Sequence, residues 1–160
     1  MHSRYIGGVT VRLLRNGDTS TVEAVFDRLS DESRRRRFGG PKPRLSESDL
    51  ALLARVDGDH HVLVAYAEGD RLPAGVARFV RQGRAAEVAF AVADEHQGRR
   101  IGTALAEALT ADARAAGILE FHATVTGDNQ PVISLLARAT CRLRATWLGG
   151  SERRLVAALS

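Results

Sequence analysis

Lysine is almost missing from this chain. Lys42 is the only one, and arginine supplies the rest of the 23 basic residues. Aromatic residues are scarce at 5%, which argues against a nucleic-acid surface built on base stacking. Cysteine occurs once, at Cys141, so no internal disulfide can form. With no export signal in view, a cytoplasmic setting is the simple expectation. No apolar run nears the roughly 20 residues that cross a bilayer, and no membrane partner is expected. Met1-His2-Ser3-Arg4 is not followed by the apolar segment of a signal peptide. His60, His61 and His122 are too scattered to argue for a metal and read as strand-end or packed histidines.

What is present is ordinary for a globular domain. The chain has 160 residues, 44% hydrophobic and 26% charged, enough to bury a real core. Residues 1–160 are expected to form one domain. The net charge is +4, carried by a side chain that stays ionised and pairs well with phosphate and carboxylate. Such a surface suits a phosphorylated ligand, an acidic protein or nucleic acid, and composition does not choose among them.

The pattern of residues orders the elements. Val9 to Leu14 reads as a strand, and Asp18, Thr19 and Ser20 offer caps for a helix reaching about Leu29. Ser30 and Asp31 begin a short helix carrying Arg34 to Arg37, which Phe38-Gly39-Gly40-Pro41-Lys42-Pro43 ends. Ser46 and Asp49 resemble a capping box for a helix over Glu47 to Val56. Three strands follow, His61 to Glu68, Ala74 to Arg81 and Ala85 to Ala93, with turns at Gly69-Asp70 and Gln82-Gly83. Ile101, Leu105, Leu109 and Ala113 then share one helical face in a helix that Gly117 ends. A strand from Leu119 to Val125, a helix from Asn129 to Ala139, and strands Arg142 to Leu148 and Arg153 to Ala158 complete the chain. This is a mixed α/β (α+β) layer fold, not a doubly wound nucleotide-binding sheet.

Chemistry concentrates in Gln97-Gly98-Arg99-Arg100-Ile101-Gly102-Thr103, which follows a strand and opens a helix. A helix N-terminus presents unpaired N–H groups and partial positive charge. Glycines let the backbone approach a ligand, and two arginines add formal charge, so the run suits a pyrophosphate. It matches neither GxGxxG nor GxxxxGK[ST], which excludes the dinucleotide fingerprint and the P-loop.

Here the chain resembles the GNAT family of N-acetyltransferases, whose pyrophosphate loop reads [Q/R]-x-x-G-x-[G/A]. Gln97 and Gly102 match its ends, and Arg100 stands where the middle glycine belongs. The resemblance implies the GNAT fold, a mostly antiparallel central sheet flanked by helices, with acetyl-CoA as co-substrate. It implies that Phe90, Ala91 and Val92 lend backbone groups to the pantetheine arm and that Asn129 touches the cofactor. It places Leu136 where many members carry a tyrosine acid, and Thr140-Cys141 where Gly-Phe is usual. Cys141 reads as a small buried residue rather than a nucleophile. The open strand edges of such folds admit a homodimer.

Acylation of an amine needs a neutral nitrogen. A lysine near pKa 10.4 is neutral about once in 2,500 at pH 7, a penalty of roughly 4.6 kcal/mol that a general base removes. Glu87 is the candidate. Val88, Phe90 and Val92 alternate with Glu87, Ala89 and Ala91 along the strand, so Glu87 shares a face with alanines that leave room for a substrate and desolvate the carboxylate. An exposed or salt-bridged strand glutamate is the equal alternative. The chain is also similar to the bacterial protein lysine acetyltransferases of the Pat type, in which a glutamate of the same strand is the base. Leu29 to Phe38 and Pro41 to Ser46 are similar to that branch's early helices, which flank the acceptor entrance. Arg34 to Arg37 then either meet an acidic protein substrate or form a solvated helical face. The resemblance implies transfer of acetyl to a protein lysine. A small amine such as an amino sugar or polyamine is the second possibility, and a non-catalytic acyl-CoA-binding sensor the third.

Overall fold

The computed structural model describes residues 3–38, 42–93, 100–126 and 129–160. Its strands are β1 (Ser3–Ile6), β2 (Val9–Leu13), β3 (His60–Ala67), β4 (Gly75–Gln82), β5 (Ala85–Val92), β6 (Glu120–Thr126), β7 (Arg142–Gly149) and β8 (Glu152–Ala158). The helices are α1 (Thr19–Asp27), α2 (Asp31–Phe38), α3 (Glu47–Leu53), α4 (Ile101–Ala115) and α5 (Gln130–Ala139).

The strands form one sheet in the order β1-β2-β3-β4-β5-β6-β8-β7. Every neighbouring pair is antiparallel except β5 and β6, which run parallel because α4 carries the chain between them. The four consecutive apolar residues Val62 to Ala65 are all buried in β3, as a strand covered on both faces requires. On one face Leu63, Ala77, Phe79, Val88 and Phe90 pack with α4 and with Leu136 of α5. On the other, Val62 and the half-buried Ala91 pack with Val22 and Phe26 of α1 and with Leu45 and Ala54 at the ends of α3.

Local chemistry sets the helix ends. The Asp18 carboxylate accepts from the Thr21 N–H at 3.2 Å and caps α1. Ser46 and Asp49 form a reciprocal capping box on α3. The α2 helix carries Asp31 and Glu32 in its first turn and Arg35 to Arg37 in its last, an arrangement that complements the helix dipole. The expected elements are all present. The one the sequence reading lacks is β1, and α3 stops at Leu53 rather than Val56. No helix of the described residues is long and apolar enough to cross a membrane.

Gly75 sits at a point of close approach. A Cβ there would stand 3.0 Å from the Ala91 carbonyl oxygen and 3.1 Å from side-chain atoms of Ile101 and Leu105. The position therefore admits glycine alone without movement, and it holds β4, β5 and the start of α4 in register.

Candidate active site

The parallel ladder between β5 and β6 is short. Ala85 pairs with Glu120, Ala86 with Phe121 and Glu87 with His122, and there the ladder stops. Beyond this fork lies a cleft of about 510 Å³. Its walls are Phe90, Ala91 and Val92 from β5, Arg100, Gly102 and Thr103 at the entry to α4, and Asn129, Val132, Leu135 and Arg138 at and along α5. Ser33, Arg36 and Arg37 of α2 close it from the other side. A mostly apolar cleft edged by arginines fits an extended, phosphorylated thioester.

Seven of the residues expected to hold such a co-substrate thus share one cleft: Phe90, Ala91, Val92, Arg100, Gly102, Thr103 and Asn129. Gln97, Gly98 and Arg99 lie outside the described residues. Ile101 is different. It turns inward, is 1% exposed, and belongs to the core rather than to the cleft's walls.

Arg100 occupies the left-handed region, with φ 69° and ψ 4°, at the N-cap of α4. It is the only described residue other than glycine with positive φ. The chain therefore follows a backbone path natural to glycine, at a cost of about 1–2 kcal/mol, and the Arg100 side chain runs toward Gly7 in the β1–β2 turn, where a Cβ would meet its Nη1 at 3.6 Å. Gly102 serves a second purpose beside openness to a ligand. A Cβ there would meet the Leu135 side chain at 3.1 Å, so the glycine lets α4 and α5 approach. Asn129 is 5% exposed at the start of α5, yet its side chain makes no capping hydrogen bond to that helix. A buried amide that faces the cleft and leaves its own helix uncapped is suited to bonding a ligand.

Glu87 stands at the fork, not among the cleft's walls. The alternation expected for β5 holds: Val88 and Phe90 are buried against α4, and Ala91 packs toward α1 and α3. The expected desolvation does not. Glu87 is ion-paired, its two oxygens accepting from both terminal nitrogens of Arg154 at 2.9 and 3.0 Å, and its side chain is 36% exposed. Arg154 also donates to Thr124 Oγ1 at 2.8 Å and meets His122 Nδ1 at 3.1 Å. An arginine can only donate, so His122 Nδ1 is the acceptor and its Nε2 carries the proton given to Glu120 Oε1 at 2.7 Å. The result is a chain Glu120–His122–Arg154–Glu87 across β6, β8 and β5. Each Glu87 oxygen keeps a further lone-pair direction, enough to accept from a water or an amine.

Two other expectations are corrected. Cys141 is exposed rather than buried, because it lies in the bend from α5 into the edge strand β7, where little covers it. The arginines of α2 do not form one solvated face. Arg35 is exposed, but Arg34 stacks over Phe26 at 4.3 Å. Arg36 and Arg37 line the cleft. The sequence reading also lacks Arg154, Arg138 and Arg78, whose positions follow from strand register and helix packing rather than from any local motif.

Known proteins share this fold. The model of the Acetyltransferase (GNAT) family matches residues 22–140. The Acetyltransferase Pat of Mycolicibacterium smegmatis is 37% identical over 124 residues, which are 75% of this chain and 36% of that protein. The chain thus spans about a third of that relative's length. The GNAT domain of S. lividans PAT has a TM-score of 0.85 at 29% identity, covering 99% of this chain and 96% of that one. A cAMP-binding acyltransferase from Mycobacterium smegmatis has a TM-score of 0.66 at 27% identity, covering 99% of this chain and 48% of that one. The family match spans well over half the residues, and the forked sheet with its cleft is present: the chain belongs to the GNAT family of acetyltransferases.

Proposed function

We propose that the protein transfers acetyl to the side-chain amine of a protein lysine, with Glu87 as the base. As a GNAT acetyltransferase it draws the acetyl group from acetyl-CoA. The observation that carries the site is the fork, where the β5–β6 ladder ends at Glu87 and His122 and the cleft begins. The similarity to Pat-type proteins supports a protein lysine as acceptor.

In this reading Phe90, Ala91 and Val92 flank the pantetheine arm. Arg100, Gly102 and Thr103, with Gln97, Gly98, Arg99 and the backbone at Ile101, take the pyrophosphate at the α4 N-terminus. Asn129 holds the arm from the far wall. Backbone amides at the end of β5 polarise the thioester oxygen as charge develops on it. Glu87 removes the amine proton through a chain of waters, using the lone pairs that Arg154 leaves open. Ala91 of the cleft wall is four residues along β5 from Glu87, so the two positions stand about 13 Å apart along the strand, a span that a chain of waters can bridge. The leaving thiolate takes its proton from solvent, since Leu136 offers no acid. A small amine is the second acceptor class, and it differs by activity on free amines without activity on folded proteins.

Calorimetry with acetyl-CoA, followed by thiol release in the presence of lysine-bearing proteins, tests the reading. Binding with release is expected. Binding without release for every acceptor favours a sensor, and no binding overturns the assignment of the cleft.

A further inference from the structure

Beneath α1, α2 and α3 a second, smaller cavity of about 30 Å³ sits on the sheet face that carries Ala89 and Ala91. That volume is about one water's share of the liquid, room for one small polar group. Leu29, Arg37 and Ala91 line both this chamber and the cleft, so the chamber opens beside the place of transfer. Its walls are otherwise apolar, with Val22, Phe26 and Val62 among them, and only Arg37 and Arg78 are polar. Arg78 stands on β4 opposite Ala89. Its Nε is buried and has no hydrogen-bond partner. Arg37 lies over the Phe38 ring at 4.8 Å. Among the described residues no carboxylate pairs with either arginine.

Two desolvated cations in an apolar chamber are an unbalanced arrangement. Burial takes the Arg37 guanidinium down to about 10, with repulsion from Arg78 adding to the effect. Burial lowers Arg78 as well. Uncompensated buried charge is costly, and an anion entering the chamber removes that cost. Guanidinium forks match the planar geometry of a carboxylate and can hold it through paired hydrogen bonds.

We propose that this chamber receives a carboxylate of the acetyl acceptor, so that the preferred amine carries an acid group beside it. The inference rests on the cleft being the site of acetyl transfer. The carboxylate has two sources, an acidic side chain next to the target lysine of a protein or the carboxyl group of a free amino acid. Arg37 and Arg78 select the acceptor and position it, and the base remains Glu87.

The test uses the whole chain with glutarate and glutaramide as probes in calorimetry. Thiol release is then measured with lysine peptides flanked by Glu or by Gln, and with free amino acids or their amides. Glutarate binds and glutaramide does not. Arg78→Gln weakens glutarate at least tenfold and leaves acetyl-CoA affinity within twofold. Acid-bearing acceptors show kcat/KM at least tenfold above their amides, and Arg78→Gln or Arg37→Gln removes that difference. Preference among the peptides assigns the carboxylate to a protein, and preference among the free acids assigns it to a small substrate. Equal binding of glutarate and glutaramide overturns the proposal, as does equal use of acid and amide acceptors. Loss of acetyl-CoA affinity in Arg78→Gln equal to its loss of glutarate also overturns it, because the pair then serves the co-substrate's phosphates. If Arg78→Gln does not fold, the acid and amide comparison on the unaltered protein decides. Absence of thiol release with every amine defeats the acetyl-transfer reading instead, and glutarate calorimetry still tests the chamber.

Discussion

Arg154 and Arg78 stand on the same face of one sheet and have opposite surroundings. Arg154 is matched: Glu87 takes both of its terminal nitrogens, with Thr124 and His122 beside them. A second matched arginine lies far from the cleft, where Arg4 donates both terminal nitrogens to Asp112 at 2.8 and 2.9 Å and His61 Nε2 joins at 2.7 Å. Arg78, with Arg37 near it, has no such partner. A matched arginine is part of the finished structure. An unmatched one in an apolar chamber stores a demand for an anion that only a ligand supplies. The distribution of partners, more than the count of arginines, separates the groups that build this fold from those that await something else.

The largest expected effect comes from breaking the match at the fork. Glu87→Gln should lower kcat by roughly 10²–10⁴-fold, the usual contribution of a positioned base. Its acetyl-CoA affinity in calorimetry should stay within twofold, and a kcat within twofold of the unaltered protein removes Glu87 from the chemistry.

Next is the distant match. Burial alone would raise the Asp112 carboxyl, but hydrogen bonds from His61 and Arg4 outweigh it and bring the group down to about 2, from an ordinary 3.8. A lowered carboxyl stabilises the fold above its unfolded value and loses that contribution as the pH falls through the folded one. Urea unfolding of Asp112→Asn should therefore show a deficit of about 2 kcal/mol above pH 4 that vanishes between about pH 4 and pH 2. A deficit that does not change with pH would mean that packing, not charge, is what Asp112 provides.

The sharpest contrast pairs two equal changes. Arg78→Met removes an uncompensated charge and should raise the unfolding free energy of the ligand-free protein by about 1 kcal/mol. Arg154→Met removes a partly exposed ion pair and should lower it by less than about 1 kcal/mol. Thermal denaturation of the two side by side reads the signs, and a loss at both sites erases the distinction. The smallest effect is at Arg100. Arg100→Gly relieves the positive φ and should stabilise by about 0.5 kcal/mol after glycine's own entropy is counted. Acetyl-CoA affinity should fall at the same time, because a positive charge near the α4 entry is lost.

Much of this molecule is legible in its residue pattern. The period-2 run of β5, the i, i+4 face of α4 and the caps at Asp18 and Ser46 are local signals, and each names its element. The cleft walls on β5, α4 and α5 follow from those elements together with the motif around Gly102. What stays illegible depends on distant positions. The β1 strand is four residues long, with Tyr5 66% exposed and none of its residues fully buried, so it carries no run of core residues to mark it. Arg37 and Arg78 are far apart in the chain and meet only because α2 lies across the face on which β4 pairs with β5. Arg154 reaches Glu87 only because β8 pairs with β6. At Arg100 the departure from the glycine pattern says nothing about the backbone, and the left-handed φ emerges only with the surrounding turn.

The brevity of the β5–β6 ladder has a mechanical consequence. Three residue pairs fasten β1 through β5 to β6 through β8, whereas β6 and β8 share seven. The sheet resembles two panels joined by a short seam, with α4 carrying the chain from one to the other and Arg154 tying Glu87 to β6 and β8 beside it. A molecule seated in the fork would supply the missing rungs and stiffen the join between the two panels. Amide hydrogen exchange would then report filling of the cleft far from it. Protection along β6 and β8 should rise toward that of β3 and β4 when acetyl-CoA is added.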